Sequence, residues 1–168
     1  MQRRSFLKLG AGTAALLAVA GAGVAMWQPG WQQGRLGPAA RQVLTAVADA
    51  VLDGALPATP AERAQALQAL VTRFETTVSG LPAVVRGEIS DLFAVLGTAP
   101  GRRVIAGLST PWAQAPIGEV AMALQDMRRS SLAVRQQAYH ALRDLVNAAW
   151  YADASTWAQM GYPGPRTI

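Results

Sequence analysis

Few residues in this sequence are of a type and spacing that could do chemistry. His140 is the sole histidine, in a helical stretch beside Tyr139. A catalytic dyad or metal site needs partners at fixed spacing, and none is visible, so a surface or half-buried histidine is the plainer account. Asp49 and Asp53 fall one helical turn apart, where paired carboxylates can exchange protons or bind a cation. Without further oxygen ligands they read instead as a solvated pair with an arginine nearby. No serine has a Gly-x-Ser-x-Gly context, and a single histidine leaves a Ser-His-Asp triad unsupported. Gly10-Ala11-Gly12-Thr13-Ala14-Ala15 matches the loose dinucleotide fingerprint. That loop must follow a buried strand and precede an acidic residue about 20 positions on. Here a basic segment comes before it and the first carboxylate is Asp49, so the match is accidental. An enzyme is not expected. The remaining catalytic alternative is a hydrolase built on His140.

The chain has no cysteine. This excludes disulfides, thiolate metal sites, iron–sulfur clusters, Cys-x-x-Cys-His haem attachment and a lipid-modified cysteine anchor. Hydrophobic residues make up 51% of 168 and charged ones 15%, enough apolar side chain for one packed domain and too little charge for wholesale disorder. The net charge is +5, but Arg3, Arg4 and Lys8 stand near the N-terminus, leaving +2 for the rest. The later arginines are scattered among carboxylates, with only Arg102-Arg103 and Arg128-Arg129 as doublets. A phosphate-tracking surface wants a dense stripe, so nucleic acid is not an expected partner. The doublets read as solvated helix faces, or as rim contacts to an acidic partner.

The elements that must position these residues read as helices. Val43, Leu44, Val47 and Val51 recur at one-turn intervals in a helix from about Pro38 to Asp53. Thr59-Pro60-Ala61-Glu62 matches a capping box with proline at the first helical position. Leu67, Leu70, Val71, Phe74 and Val78 form the next stripe, and Val85, Ile89, Leu92, Phe93 and Leu96 a third. A short helix from Arg102 to Gly107 leads into the loop Ser109–Pro116. Ile117, Val120, Leu124 and Met127 mark a further helix. Ser130 or Ser131 can cap the last one, which buries Leu142, Leu145, Val146 and Ala149 up to Trp150. No stretch alternates convincingly at period two. The expected fold is all-α, a bundle of five or six helices.

Residues Gln2-Arg3-Arg4-Ser5-Phe6-Leu7-Lys8 resemble the twin-arginine translocation signal, through Arg3, Arg4, Phe6, Leu7 and Lys8; Gln2 departs from the usual Ser or Thr. Lys8 is the only lysine in the chain. Leu9 to Met26 continues as an uncharged, Gly- and Ala-rich, mildly hydrophobic stretch. Small-residue cleavage sites stand at Ala18-Val19-Ala20, Ala20-Gly21-Ala22 and Gly23-Val24-Ala25, and cleavage is the favoured reading over an uncleaved anchor. This divides the chain into a signal segment 1–26, a Pro/Gly-punctuated linker 27–37 with Trp27 and Trp31, a helical domain 38–151 and a tail 152–168. Folded export usually serves chains that have taken up a cofactor, and nothing downstream looks able to hold one.

The tail concentrates Trp150, Tyr151, Trp157 and Tyr162, then Pro163, Gly164 and Pro165. Pro163-Gly164 favours a tight turn with glycine at positive φ, and Pro165 stiffens the chain beyond it. A stiff aromatic segment suits docking into a partner's groove; equally, it could be a strap over its own bundle.

The pattern Trp-Tyr…Trp-x-x-x-Gly-Tyr-Pro-Gly-Pro at this end resembles the gluconate 2-dehydrogenase subunit 3 family. So do the first helix, Leu44-Thr45-Ala46-Val47-Ala48-Asp49-Ala50-Val51-Leu52, and the twin-arginine leader. The departures are Ala154 where the family often has proline, and Asp53-Gly54 where proline often closes the first helix. These are small subunits of bacterial membrane-associated flavin dehydrogenases of the glucose–methanol–choline type. The resemblance implies a non-catalytic escort with no cofactor of its own, and FAD in a flavoprotein large subunit. It further implies the twin-arginine translocase as a partner, room for a cytochrome c subunit, and a place in the periplasm or on the periplasmic face of the inner membrane. Export of the pair on one address would explain why a cofactor-free chain uses that route. The alternative is a stand-alone periplasmic helical binding module.

Overall fold

The computed structural model describes residues 28–164, apart from the side chains of Gln159 and Met160. The export signal, Trp27 and Pro165 lie outside the described residues. Helix makes up 70% of the structure, and the expected all-α class holds. One addition comes at the start. The stretch expected to be a plain linker contains a hairpin of β1 (Trp31–Gln32) and β2 (Arg35–Leu36), antiparallel, with Trp31 opposite Leu36. Its central residues Gln33 and Gly34 have φ of 48° and 80°, the left-handed pair that a two-residue hairpin needs.

Five long helices come next: α1 (Pro38–Val51), α2 (Pro60–Ser79), α3 (Ala83–Gly97), α5 (Ile117–Arg129) and α6 (Ala133–Tyr151). Between α3 and α5 the short α4 (Ala99–Gly101) runs directly into a π turn, Arg102–Ala106, in place of the expected short helix. A 3-10 turn, Ala154–Met160, closes the described chain.

Helix α1 is central, packed against α2, α3, α5 and α6. Its sequence suits that place: Ala40, Val43, Leu44, Val47 and Ala48 are buried, and small residues let neighbours approach on several sides. Helix α2 buries the expected stripe in full, and Phe74 meets Phe93 of α3 edge to face at 5.7 Å between centroids. The hairpin sits on α3, where the Trp31 amide donates to Ser90 Oγ at 3.1 Å. A Cβ on Gly30 would come within 2.5 Å of the Ser90 carbonyl and 2.7 Å of Phe93 Cβ, so only glycine lets the chain lie this close.

Two helix starts differ from expectation. Thr59 and Glu62 do pair, at 2.6 Å, but the threonine hydroxyl donates to the carboxylate rather than accepting a backbone N–H. Leu132, not a serine, occupies the position before α6; Ser130 Oγ instead accepts from the Leu132 amide at 3.1 Å. Among the described residues, no helix is long and apolar enough to cross a membrane.

Candidate functional site

The tail begins where α6 ends. Asp153 stands just outside the 3-10 turn, and its carboxylate accepts from the Ser155 amide at 2.9 Å and the Ser155 hydroxyl at 2.8 Å. Its other oxygen receives Arg73 of α2 at 2.9 Å. Hydrogen bonds from the Ser155 hydroxyl, then from its N–H, hold the Asp153 carboxyl below its ordinary range, with Arg73 adding to the effect. Arg73 also donates to the Ala149 carbonyl and lies over the Trp150 ring, 5.9 Å from its centroid. One arginine thus joins α2, the end of α6 and the tail.

Beyond Asp153 the turn folds back on α6. Thr156 is buried, its hydroxyl donating to the carbonyls of Asp153 at 2.7 Å and Trp150 at 3.2 Å. Trp157 Nε1 donates to the Tyr151 carbonyl at 2.8 Å, and its ring meets Tyr162 at 5.4 Å between centroids. Gly161 and Gly164, at φ of 70° and 94°, supply the left-handed backbone that reverses the chain. Gly164 has the positive φ expected of it; the rest of the expected Pro163-Gly164 turn falls on residues outside those described. The described tail is a strap on its own bundle.

This arrangement sorts the expected docking residues. Trp150 is a core residue at 4% exposure, and its Nε1 is buried with no acceptor. Tyr151 and Trp157 are half-buried, Pro163 is exposed and Gly164 half-buried. Tyr162, 47% exposed, is the large aromatic that the strap turns outward. Contact through Trp150 would require the core to open. Contact through Tyr162 would not.

A groove of about 710 Å³ lies between α1, the hairpin and the loop before α5. One wall carries Arg41, Gln42, Thr45 and Asp49 of α1; the other is Trp112, Ala113, Ala115, Ile117 and Val120. Trp112 is fixed there by its Nε1 donating to the Leu96 carbonyl at 2.8 Å. The charged groups are already engaged: Arg41 with Glu75 at 2.8 Å, and Asp49 with Arg63 at 2.6 Å. Arg63 reaches Asp53 as well, at 3.3 Å. The Asp49–Asp53 pair is therefore bridged by an arginine, which its two carboxylates hold more firmly protonated, the Asp49 hydrogen bond foremost.

His140 is exposed and its ring meets that of Tyr139 edge-on at 5.2 Å. Among the described residues no group of three or more metal-ligating side chains comes together. Arg102, expected on a solvated face, is instead buried, with Nε donating to Leu108 O and a terminal nitrogen to Ser109 O, both at 3.2 Å. The π turn rolls this residue inward while leaving Arg103 exposed. Arg73 and Thr156 are site residues that sequence reasoning does not reach. Asp153 two residues before Ser155 is a legible turn signal, but nothing local marks a partner 80 positions away. No family model, no curated protein and no solved structure matches the chain.

Proposed function

We propose that this chain is a non-catalytic small subunit that escorts a folded, FAD-dependent flavoprotein of the glucose–methanol–choline type through the twin-arginine export route. The observation that carries the reading is the combination of two ends in one chain. Arg3-Arg4-Ser5-Phe6-Leu7-Lys8 provides an address for folded cargo, and Trp150 to Gly164 provides an aromatic terminus whose last ring, Tyr162, faces outward. The resemblance to the gluconate 2-dehydrogenase subunit 3 family supplies the identity of the cargo. FAD belongs to the large subunit, and electrons leave through that subunit or a cytochrome c subunit, not through this chain. The pair then works in the periplasm or on the periplasmic face of the inner membrane.

Strap geometry gives this docking role a physical form. Arg73, Asp153 and Thr156 tie the start of the tail to the bundle, which lowers the chain entropy lost when a partner closes over Tyr162 and Pro163. The test is to change Arg3 and Arg4 to lysine and track the flavoprotein. Its retention in the cytoplasm is expected. A flavoprotein without its own signal that still reaches the periplasm normally contradicts the reading.

A second reading is favoured by the groove: a stand-alone periplasmic module binding a ligand between α1 and the Trp112 loop. It predicts a stable monomer that needs no partner, and ligand binding lost on filling the groove by Ala46→Trp.

A further inference from the structure

The ion pairs among the described residues leave several arginines without a carboxylate partner, five of them at one end of the bundle. The pairs are Arg41–Glu75, Arg63 with Asp49 and Asp53, Arg73–Asp153 and Arg143–Asp144. Arg35, Arg86, Arg102, Arg103, Arg128, Arg129 and Arg135 take part in none. The last five, distant in sequence, meet at one end. Arg128 and Arg129 close α5, and Arg135 stands in the first turn of α6. Arg135 Nε donates to the Ile105 carbonyl at 2.8 Å, which brings the π turn, with Arg102 and Arg103, to the same place.

The fold's own stability accounts for only part of this set. Arg102 and Arg135 are hydrogen-bonded to carbonyls, which engages some of their N–H groups but leaves their charge. Arg128 and Arg129 suit a helix C-terminus, but Arg135 lies at the positive end of α6, where no acidic residue offsets it. Asp126, the nearest carboxylate along α5, forms an ion pair with none of them. Two aliphatic side chains stand exposed in the same region, Val104 at 64% on the π turn and Leu132 at 57% on the α5–α6 link.

We propose that this end is a docking surface for an anionic membrane. Arg103, Arg128 and Arg129 would meet lipid phosphates while Val104 and Leu132 enter the interface. Two features favour lipid over other anionic partners. The apolar residues sit on a turn and a link, outside the groove that a shaped protein segment would need. They are also aliphatic, whereas a nucleic acid calls for aromatic rings to stack on its bases. The strap lies at the other end of α6, whose 19 residues span roughly 28 Å, so both surfaces can be occupied together. The inference does not depend on the escort reading.

The chain lacks cysteine, so Ser131→Cys, exposed beside Leu132, takes a single environment-sensitive dye on the full-length protein; Thr76→Cys on α2 serves as a control. A label at a defined face separates this contact from any made by the leader. With vesicles of phosphatidylglycerol and phosphatidylcholine in equal parts, the dye at 131 should shift to the blue. It should stay unchanged with phosphatidylcholine alone, and the dye at 76 should not respond to either. Each arginine near such a surface contributes about fivefold in affinity, so Arg103→Gln, Arg128→Gln and Arg129→Gln together should weaken the response on the order of a hundredfold. The proposal is overturned if the dye at 131 stays silent while the protein sediments with the vesicles. It is equally overturned if the triple variant responds like its parent, or if only a polynucleotide produces the shift.

Discussion

Two buried tryptophans show how much a single atom's surroundings decide. Trp112 and Trp150 are equally buried, at 4%, but Trp112 Nε1 donates to Leu96 O while Trp150 Nε1 has no acceptor. Replacing either by phenylalanine removes similar ring volume, yet only Trp112→Phe orphans a buried carbonyl. Urea unfolding should therefore find Trp112→Phe the costlier by about 1–3 kcal/mol. Equal losses would mean that the Trp150 donor is satisfied. Asp153 gives a second residue-scale prediction. Its carboxyl is held below its ordinary 3.8, so its contribution is complete above that value and lost as pH falls through the lower native one. Thermal unfolding of the parent and Asp153→Asn should differ at neutral pH and converge in strongly acidic solution. A gap that persists there would assign the effect to something other than the charge. Residue-level detail of this kind is only partly legible in the sequence. The one-turn spacing of Asp49 and Asp53 can be read from the sequence. Arg102 cannot, because its partners are the carbonyls of Leu108 and Ser109, created by a π turn that leaves no compositional mark.

At the scale of elements, periodicity is a good guide wherever a helix buries one face. The stripe Leu67, Leu70, Val71, Phe74, Val78 is buried throughout because α2 has solvent on its other side. Edges are harder. Periodicity puts Ile117 on a buried face, but it is 36% exposed, since it opens α5 at the lip of the groove. The hairpin escapes any such pattern because its two-residue strands are too short to alternate, and its stability comes from α3 and Glu75. The tail, open in sequence between strap and docking segment, is a strap in its described conformation. The docking role proposed for it rests on Tyr162, which stays exposed. Deleting residues from Trp157 onward should leave the bundle folded, because Thr156 and Asp153 remain to close α6, while weakening recovery of a flavoprotein partner. Circular dichroism with co-purification separates the two effects, and unchanged recovery would reduce the tail to a structural strap.

For the whole molecule, α1 packs at the centre of four helices, and the bundle presents distinct surfaces: the strap and Tyr162, the groove before α5, and the arginine-rich end. We propose that one chain carries the export address while its companion carries the flavin. Tagging this protein in its native host and purifying it under gentle conditions tests that most directly. A second, larger polypeptide with yellow flavin absorbance in fixed proportion is the predicted result; recovery of the tagged chain alone, colourless and stable, would contradict it.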